Sequence, residues 1–170
     1  MKGAVIRRVT PAEWESLRTV RLAALQEAPF AFGSTYEREY AFTEAKWHSR
    51  LGTSAWFIAW LNDQPVGLAA SRTCQGTSAT KRELLSMWVH PAQRGTGMAV
   101  ELVAAVKAWA VEEGAEVLTL YVVEGNNRGR QFYSKLGFTS TGRWEPLASN
   151  PEVNTEELSC LLAPKPIEMG

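Results

Sequence analysis

Residues 83–123, ELLSMWVHPAQRGTGMAVELVAAVKAWAVEEGAEVLTLYVV, hold two apolar runs with a long helical pattern between them. Strands joined through such a helix run parallel when they pair in one sheet, and the crossover is right-handed. The first run stops at Pro91, which cannot continue a ladder. The helix is read from about Thr96 to Glu113, with Met98, Leu102, Val106, Trp109 and Ala110 on one stripe and Glu101, Lys107 and Glu112 off it. Gly114 closes it. EVLTLYVV is almost continuously apolar, as a central strand covered on both faces requires. A chain built around this unit is confined to an α/β architecture.

The flanks add antiparallel strands. SAWFIAWL and VGLAASRT, separated by NDQP, predict a hairpin. STGRWEPL and NTEELSCLLA read as two closing strands, and CQGTSATK as a polar connecting loop. Upstream, Ala4–Val9 predicts a short strand. Thr10 then reads as an N-cap and Pro11 as the first residue of a helix to about Glu27. Pro29 and Gly33 break the pattern, and a second helical or loop segment runs to near Gly52. GNNRGRQFYSKLGF predicts a short helix closed by Gly137. The expected whole is one domain over residues 1–170, a mixed α/β fold whose six- to seven-stranded sheet carries helices on both faces.

Eighteen Lys and Arg balance eighteen Asp and Glu in the 170 residues. That balance argues against nucleic acid as the main partner, which selects a basic excess. MKGAVIRRVT has no apolar core of a secretory signal, and no run approaches the span of a bilayer. The expectation is a cytoplasmic protein without a membrane partner. Cys74 and Cys160 lack metal-ligand spacing, and His48 and His90 stand apart from them, so no metal site is expected.

The turn PAQRGTGMA is the chemically loaded feature. Glycine lets main chain approach a ligand with no Cβ in the way. The first N–H groups of a helix have no partner inside it and favour an anion, phosphate above all. Arg94 adds a positive charge beside them. The turn is neither a Walker A loop nor a dinucleotide fingerprint, since it lacks the lysine of the first and the third glycine of the second. A plain strand-to-helix turn remains the bland reading.

VHPAQRGTGMA resembles the pyrophosphate loop of the GNAT N-acetyltransferases, R-x-x-G-x-[G/A] after a V-x-P strand end. Arg94, Gly97 and Ala99 match. NNRGRQFYSKLGF is similar to the family's second motif, N-x-x-A-x-x-[LF]-Y-x-x-x-G-F, through Asn126, Phe132, Tyr133, Gly137 and Phe138, with Gly129 where alanine is usual. LAALQEAPFAFGSTYERE looks like the first helices of bacterial members. The resemblance implies acetyl-CoA as co-substrate, bound in a splay between the two central parallel strands. The pantetheine arm would pair with main chain around Met87 and Val89, and the diphosphate would sit on N–H groups of Arg94, Gly95, Thr96, Gly97, Met98 and Ala99. A backbone N–H near Trp88 would serve the oxyanion, Asn126 would bond the pantetheine or cap its helix, and Tyr133 would protonate the leaving thiolate or merely pack. Glu83 would be a base acting through water or an ordinary strand-end charge.

The same resemblance places the acceptor pocket at FAFGSTYEREY and RWEPL, where Phe32, Tyr36 and Trp144 are the candidate contacts and Glu37, Glu39 and Glu145 the nearby charges. Trp47 joins Trp144 as a tryptophan to watch, while Trp56, Trp60 and Trp109 fit core faces. The implied activity is acetyl transfer by direct attack of a primary amine, a small molecule or a peptide N-terminus. The competing readings are a non-catalytic acyl-CoA sensor of the same fold and an unrelated nucleotide-binding module. Homodimers are common in the family, and the final strands would offer a surface for one.

Overall fold

The computed structural model describes residues 3–73 and 79–163; Cys74 lies outside them. Strand β1 (Val5–Arg8) leads into a 3-10 turn at Pro11–Glu13 and helix α1 (Trp14–Glu27). The start is fixed by Thr10, whose N–H donates to Glu13 Oε2 at 2.9 Å. The segment expected to be helix or loop as far as Gly52 forms two helices, α2 (Tyr36–Tyr40) and α3 (Glu44–Thr53). A threonine caps each: Thr35 Oγ1 accepts from Arg38 N–H and Thr43 Oγ1 from Lys46 N–H, both at 3.2 Å.

Strands β2 (Ala55–Leu61) and β3 (Gln64–Thr73) form the expected hairpin. Asn62 and Asp63 both take positive φ, 51° and 61°, the requirement of a tight two-residue turn. Next come β4 (Lys81–Val89), α4 (Met98–Glu112), β5 (Val117–Val123), α5 (Asn127–Lys135), β6 (Thr139–Leu147) and β7 (Asn150–Leu161). The seven strands lie in the order β1-β2-β3-β4-β5-β7-β6, and β4–β5 is the parallel pair in an otherwise antiparallel sheet.

Alternation along β2 sorts the core into two layers. Ala55, Phe57 and Ala59 face a cluster completed by Met98, Leu102 and Val106 of α4, with Phe132 and Tyr133 of α5 packed against it. Trp56 and Ile58 face the other cluster with Leu17, Val20 and Leu25 of α1. Trp47 belongs to that second cluster and is fully buried against Phe42, which corrects its expected role at a substrate surface. Its place on the inner face of α3 is the reason. Trp60 and Trp109 are only half-buried, under the guanidinium groups of Arg7 and Arg8. No helix among the described residues is long and apolar enough to cross a membrane.

Candidate active site

Strands β4 and β5 pair only at Lys81–Val117, Arg82–Leu118 and Glu83–Thr119. Beyond Glu83 they part. One cause is visible on the other side of β4, where the steps from Leu85 to Trp88 answer only Leu68 to Ala70 of β3. The extra residue is a β-bulge, which bends a strand and re-aims its main chain. It places Ser86 at φ 57°, a conformation that costs a non-glycine residue about 1–2 kcal/mol. Arg21 Nη1 donates to Ser86 Oγ at 3.3 Å and helps hold it there.

The parted strands open a cavity of about 460 Å³, walled by Ser86 and Met87 on one side and Tyr121, Asn126 and Tyr133 on the other. Tyr133 is half-buried between the edges of Phe132 and Phe138, at centroid distances of 5.0 and 5.7 Å. Among the described residues its hydroxyl has no hydrogen-bond partner. Burial pushes its pKa above the usual tyrosine value, so the phenol keeps its proton. Asn126 both caps α5, accepting from Gly129 N–H at 3.0 Å, and reaches the cavity wall. A Cβ on residue 129 would stand 2.6 Å from Asn126 Nδ2, so the capping amide would have to shift to admit one.

At the end of β4 the chain makes the glycine turn. Gly95 and Gly97 take φ 80° and 87°, and a Cβ on either would meet nothing within 4 Å. The conformation, not crowding by the protein, demands glycine here, and the space beside it stays open. Thr96 Oγ1 donates to Gln93 O at 2.6 Å, and α4 begins at Met98, whose side chain is buried beneath it while Ala99 is half-buried. Arg94 does more than supply free charge. Its Nη2 donates to Glu27 Oε2 at 2.8 Å, and its Nε to Val89 O at 3.1 Å. Trp88 Nε1 donates to the same Glu27 oxygen at 2.8 Å, and its ring is buried toward α1, away from the cavity. The Trp88 bond and then Arg94 hold the Glu27 carboxyl below the usual carboxylate range. Glu27 thus ties the turn to α1, a role invisible in sequence because Glu27 and Arg94 lie 67 residues apart.

A second cavity, of about 510 Å³, adjoins the first and shares Phe32, Leu85, Ser86 and Tyr121 with it. Glu83 lies in its wall, paired across the β3–β4 ladder with Arg72, Nε to Oε2 at 2.9 Å. Glu39 and Glu145 also line it. Glu37 is exposed and lines neither cavity. Buried Phe32 is held at its carbonyl by Ser149 Oγ at 2.5 Å. Tyr36 stacks on Tyr40 at 5.6 Å and lines neither cavity; Trp144 is exposed on β6 and lines neither. Among the described residues no cluster of His, Cys, Asp and Glu could hold a metal ion.

The family described as Acetyltransferase (GNAT) matches residues 19–138, most of the chain. The chain belongs to the GNAT acetyltransferase family. The matched span of this GNAT chain runs from α1 through β4, the glycine turn, α4 and β5 to the end of the α5 segment, so it contains both cavities' principal walls. An uncharacterised N-acetyltransferase of Methanocaldococcus jannaschii is 27% identical over 143 residues, covering 81% of this chain and 62% of that relative's length. Among solved structures, a GNAT acetyltransferase from Streptococcus pneumoniae superposes at TM-score 0.79 with 16% identity, covering 95% of this chain and 100% of its own. The Salmonella typhimurium protein yncA, solved with its cofactor acetyl-CoA, superposes at 0.72 with 19% identity and 97% coverage of both chains. These two likenesses are of fold.

Proposed function

We propose that this GNAT chain transfers an acetyl group from acetyl-CoA to a primary amine by direct attack in a ternary complex. The observation that carries the reading is the protonated Tyr133 phenol in the gap where β4 leaves β5, with a second cavity opening from that gap. The glycine turn fits a diphosphate by its own geometry: it offers open space, main-chain donors and the first turn of a fifteen-residue helix. Residues 94–99 would hold that group, and Met87 and Asn126 would flank the pantetheine arm. Val89 O already accepts from Arg94, so Met87 is the better placed of the two expected main-chain partners.

Acetyl-CoA, when bound, supplies the thioester whose acyl carbon the amine attacks. The chain's own groups do the rest. The amine nitrogen loses a proton through water to Glu83, whose carboxylate is aimed by Arg72. Main-chain N–H groups released by the bulge near Trp88 are the donors we assign to the developing oxyanion. Tyr133 gives its phenolic proton to the departing sulfur and recovers one from solvent. The acceptor occupies the second cavity, with Phe32 at the junction.

The test is calorimetric titration with acetyl-CoA, CoA and ATP, followed by thiol release across a panel of amines. Acetyl-CoA binding with amine-dependent thiol release is expected. Tight acetyl-CoA binding with no release for any amine would favour the sensor reading, and ATP binding without CoA binding would overturn both.

A further inference from the structure

The second cavity is basic, although the chain as a whole is electrically balanced. Arg21, Arg38, Lys46, Arg50 and Arg72 line it, against Glu39, Glu83 and Glu145. The pairings decide what charge is left over. Glu39 serves two guanidinium groups at once, Arg21 through bonds of 2.9 and 3.0 Å and Arg50 at 2.8 Å. Glu83 serves Arg72, and Glu145 is met by Arg143, which is not part of the wall. Arg38 and Lys46 have no carboxylate within ion-pair reach among the described residues. Three positive charges of the wall therefore lack a carboxylate of their own.

These charges come from two helices that follow one another in the chain. Arg38 lies on α2, and Lys46 and Arg50 on α3. Arg50 is laid over the rings of Phe42, Trp47 and Trp56 at 5.6, 5.0 and 4.8 Å, so its planar fork is ordered before any ligand arrives. Burial, and after it the like charges of Arg21 and Arg38, push its pKa down against the pull of Glu39. An incoming anion would relieve that crowding. The cavity meets the first at Phe32, Leu85 and Ser86, where the acyl group is delivered in the reading above.

We propose that the acceptor is a small amine carrying an anionic oxygen group, carboxylate or phosphoryl, which docks on Arg38, Lys46 and Arg50 while its amino group faces Ser86. This rests on the acetyl-transfer reading for its orientation and adds the substrate class. Charge-assisted hydrogen bonds in a partly desolvated pocket discriminate strongly against the uncharged isostere.

The experiment compares matched pairs as acceptors at low salt: 4-aminobutyrate with 4-aminobutanamide, β-alanine with 3-aminopropanamide, and phosphoethanolamine with ethanolamine. The anionic member should show kcat/KM higher by about tenfold or more, and the gap should shrink at high salt. A larger gap for the carboxylate pairs than for the phosphoryl pair assigns a carboxylate, and the reverse a phosphoryl group. Arg38→Gln and Lys46→Gln, both at exposed positions, should each narrow the gap, and Lys135→Gln on α5 should not. Calorimetry with β-alanine and with 3-aminopropanamide alone reads the anion site without turnover. β-Alanine binding weakened by Arg38→Gln, with no acetyl transfer to any amine, would sink the transfer reading and keep the anion site. Neutral amines used as well as or better than anionic ones would overturn the anion site and keep acetyl transfer.

Discussion

Gly67 on β3 sits beneath the first turn of α4, and a larger residue there should disturb the glycine turn from below. A Cβ at this position would stand 3.1 Å from Ala59 Cβ, 3.1 Å from Leu102 Cδ1 and 3.2 Å from Met98 Sδ. Alanine needs those neighbours to give by a few tenths of an ångström. Replacing a strand glycine otherwise gains about 0.5–1 kcal/mol from reduced chain entropy, so Gly67→Ala should come out close to neutral. Gly67→Val adds two further carbons where one is already tight. Overpacking of this kind costs about 1–3 kcal/mol, which for a domain of this size lowers Tm by about 2–4 °C per kcal/mol. The displaced turn of α4 carries Gly97 and Met98, so KM for acetyl-CoA should rise while KM for the amine moves less. Thermal and urea unfolding read the first effect, and thiol-release kinetics the second. A valine variant as stable as the parent would refute the seating of α4 on the sheet, and one destabilised with unchanged KM for acetyl-CoA would refute the link to the turn.

Glu27→Ala should cost about 1–3 kcal/mol by urea unfolding because it leaves the buried Trp88 indole N–H without its acceptor; Glu27→Gln should recover most of that, and equal losses would contradict the assignment. Gly97→Val combines a positive φ with a side chain placed in the open space of the turn, so it should weaken acetyl-CoA binding well beyond its loss in stability, as calorimetry would show. Burial alone would raise the Glu39 pKa, but Arg21 and then Arg50 hold it below the usual range. Its contribution is therefore present above the unfolded carboxylate value and lost as pH falls through the lower folded one. Glu39→Gln should cost about 3–5 kcal/mol at pH 7, and the gap to the parent should shrink in acid; a gap constant from pH 7 down to about pH 3 would count against the pairing.

What could be read in the sequence was what local chemistry dictates. Pro91, Gly97 and Gly114 punctuate the central unit, and the apolar run Val117–Val123 marks a buried strand, so β4, α4 and β5 were plain. The two threonine caps that divide α2 from α3, Thr35 and Thr43, are ordinary capping residues in a stretch with no clear apolar period to single them out. Trp47 could not be told from a surface aromatic, because a helix of ten residues shows its inner face only once its packing partners are known. Ser86 carries no glycine to announce the bulge. The Arg21–Glu39 and Glu27–Arg94 bonds join residues 18 and 67 positions apart, and no local pattern encodes either.

The central claim is that the Tyr133 phenol, protonated in the gap between β4 and β5, serves the leaving sulfur and not the binding of the coenzyme. It is tested most directly by measuring Kd for acetyl-CoA and kcat for Tyr133→Phe side by side. The account predicts a Kd within about twofold of the parent and a kcat lower by about 10²-fold or more. Parallel losses in both, or an unchanged kcat, would contradict it.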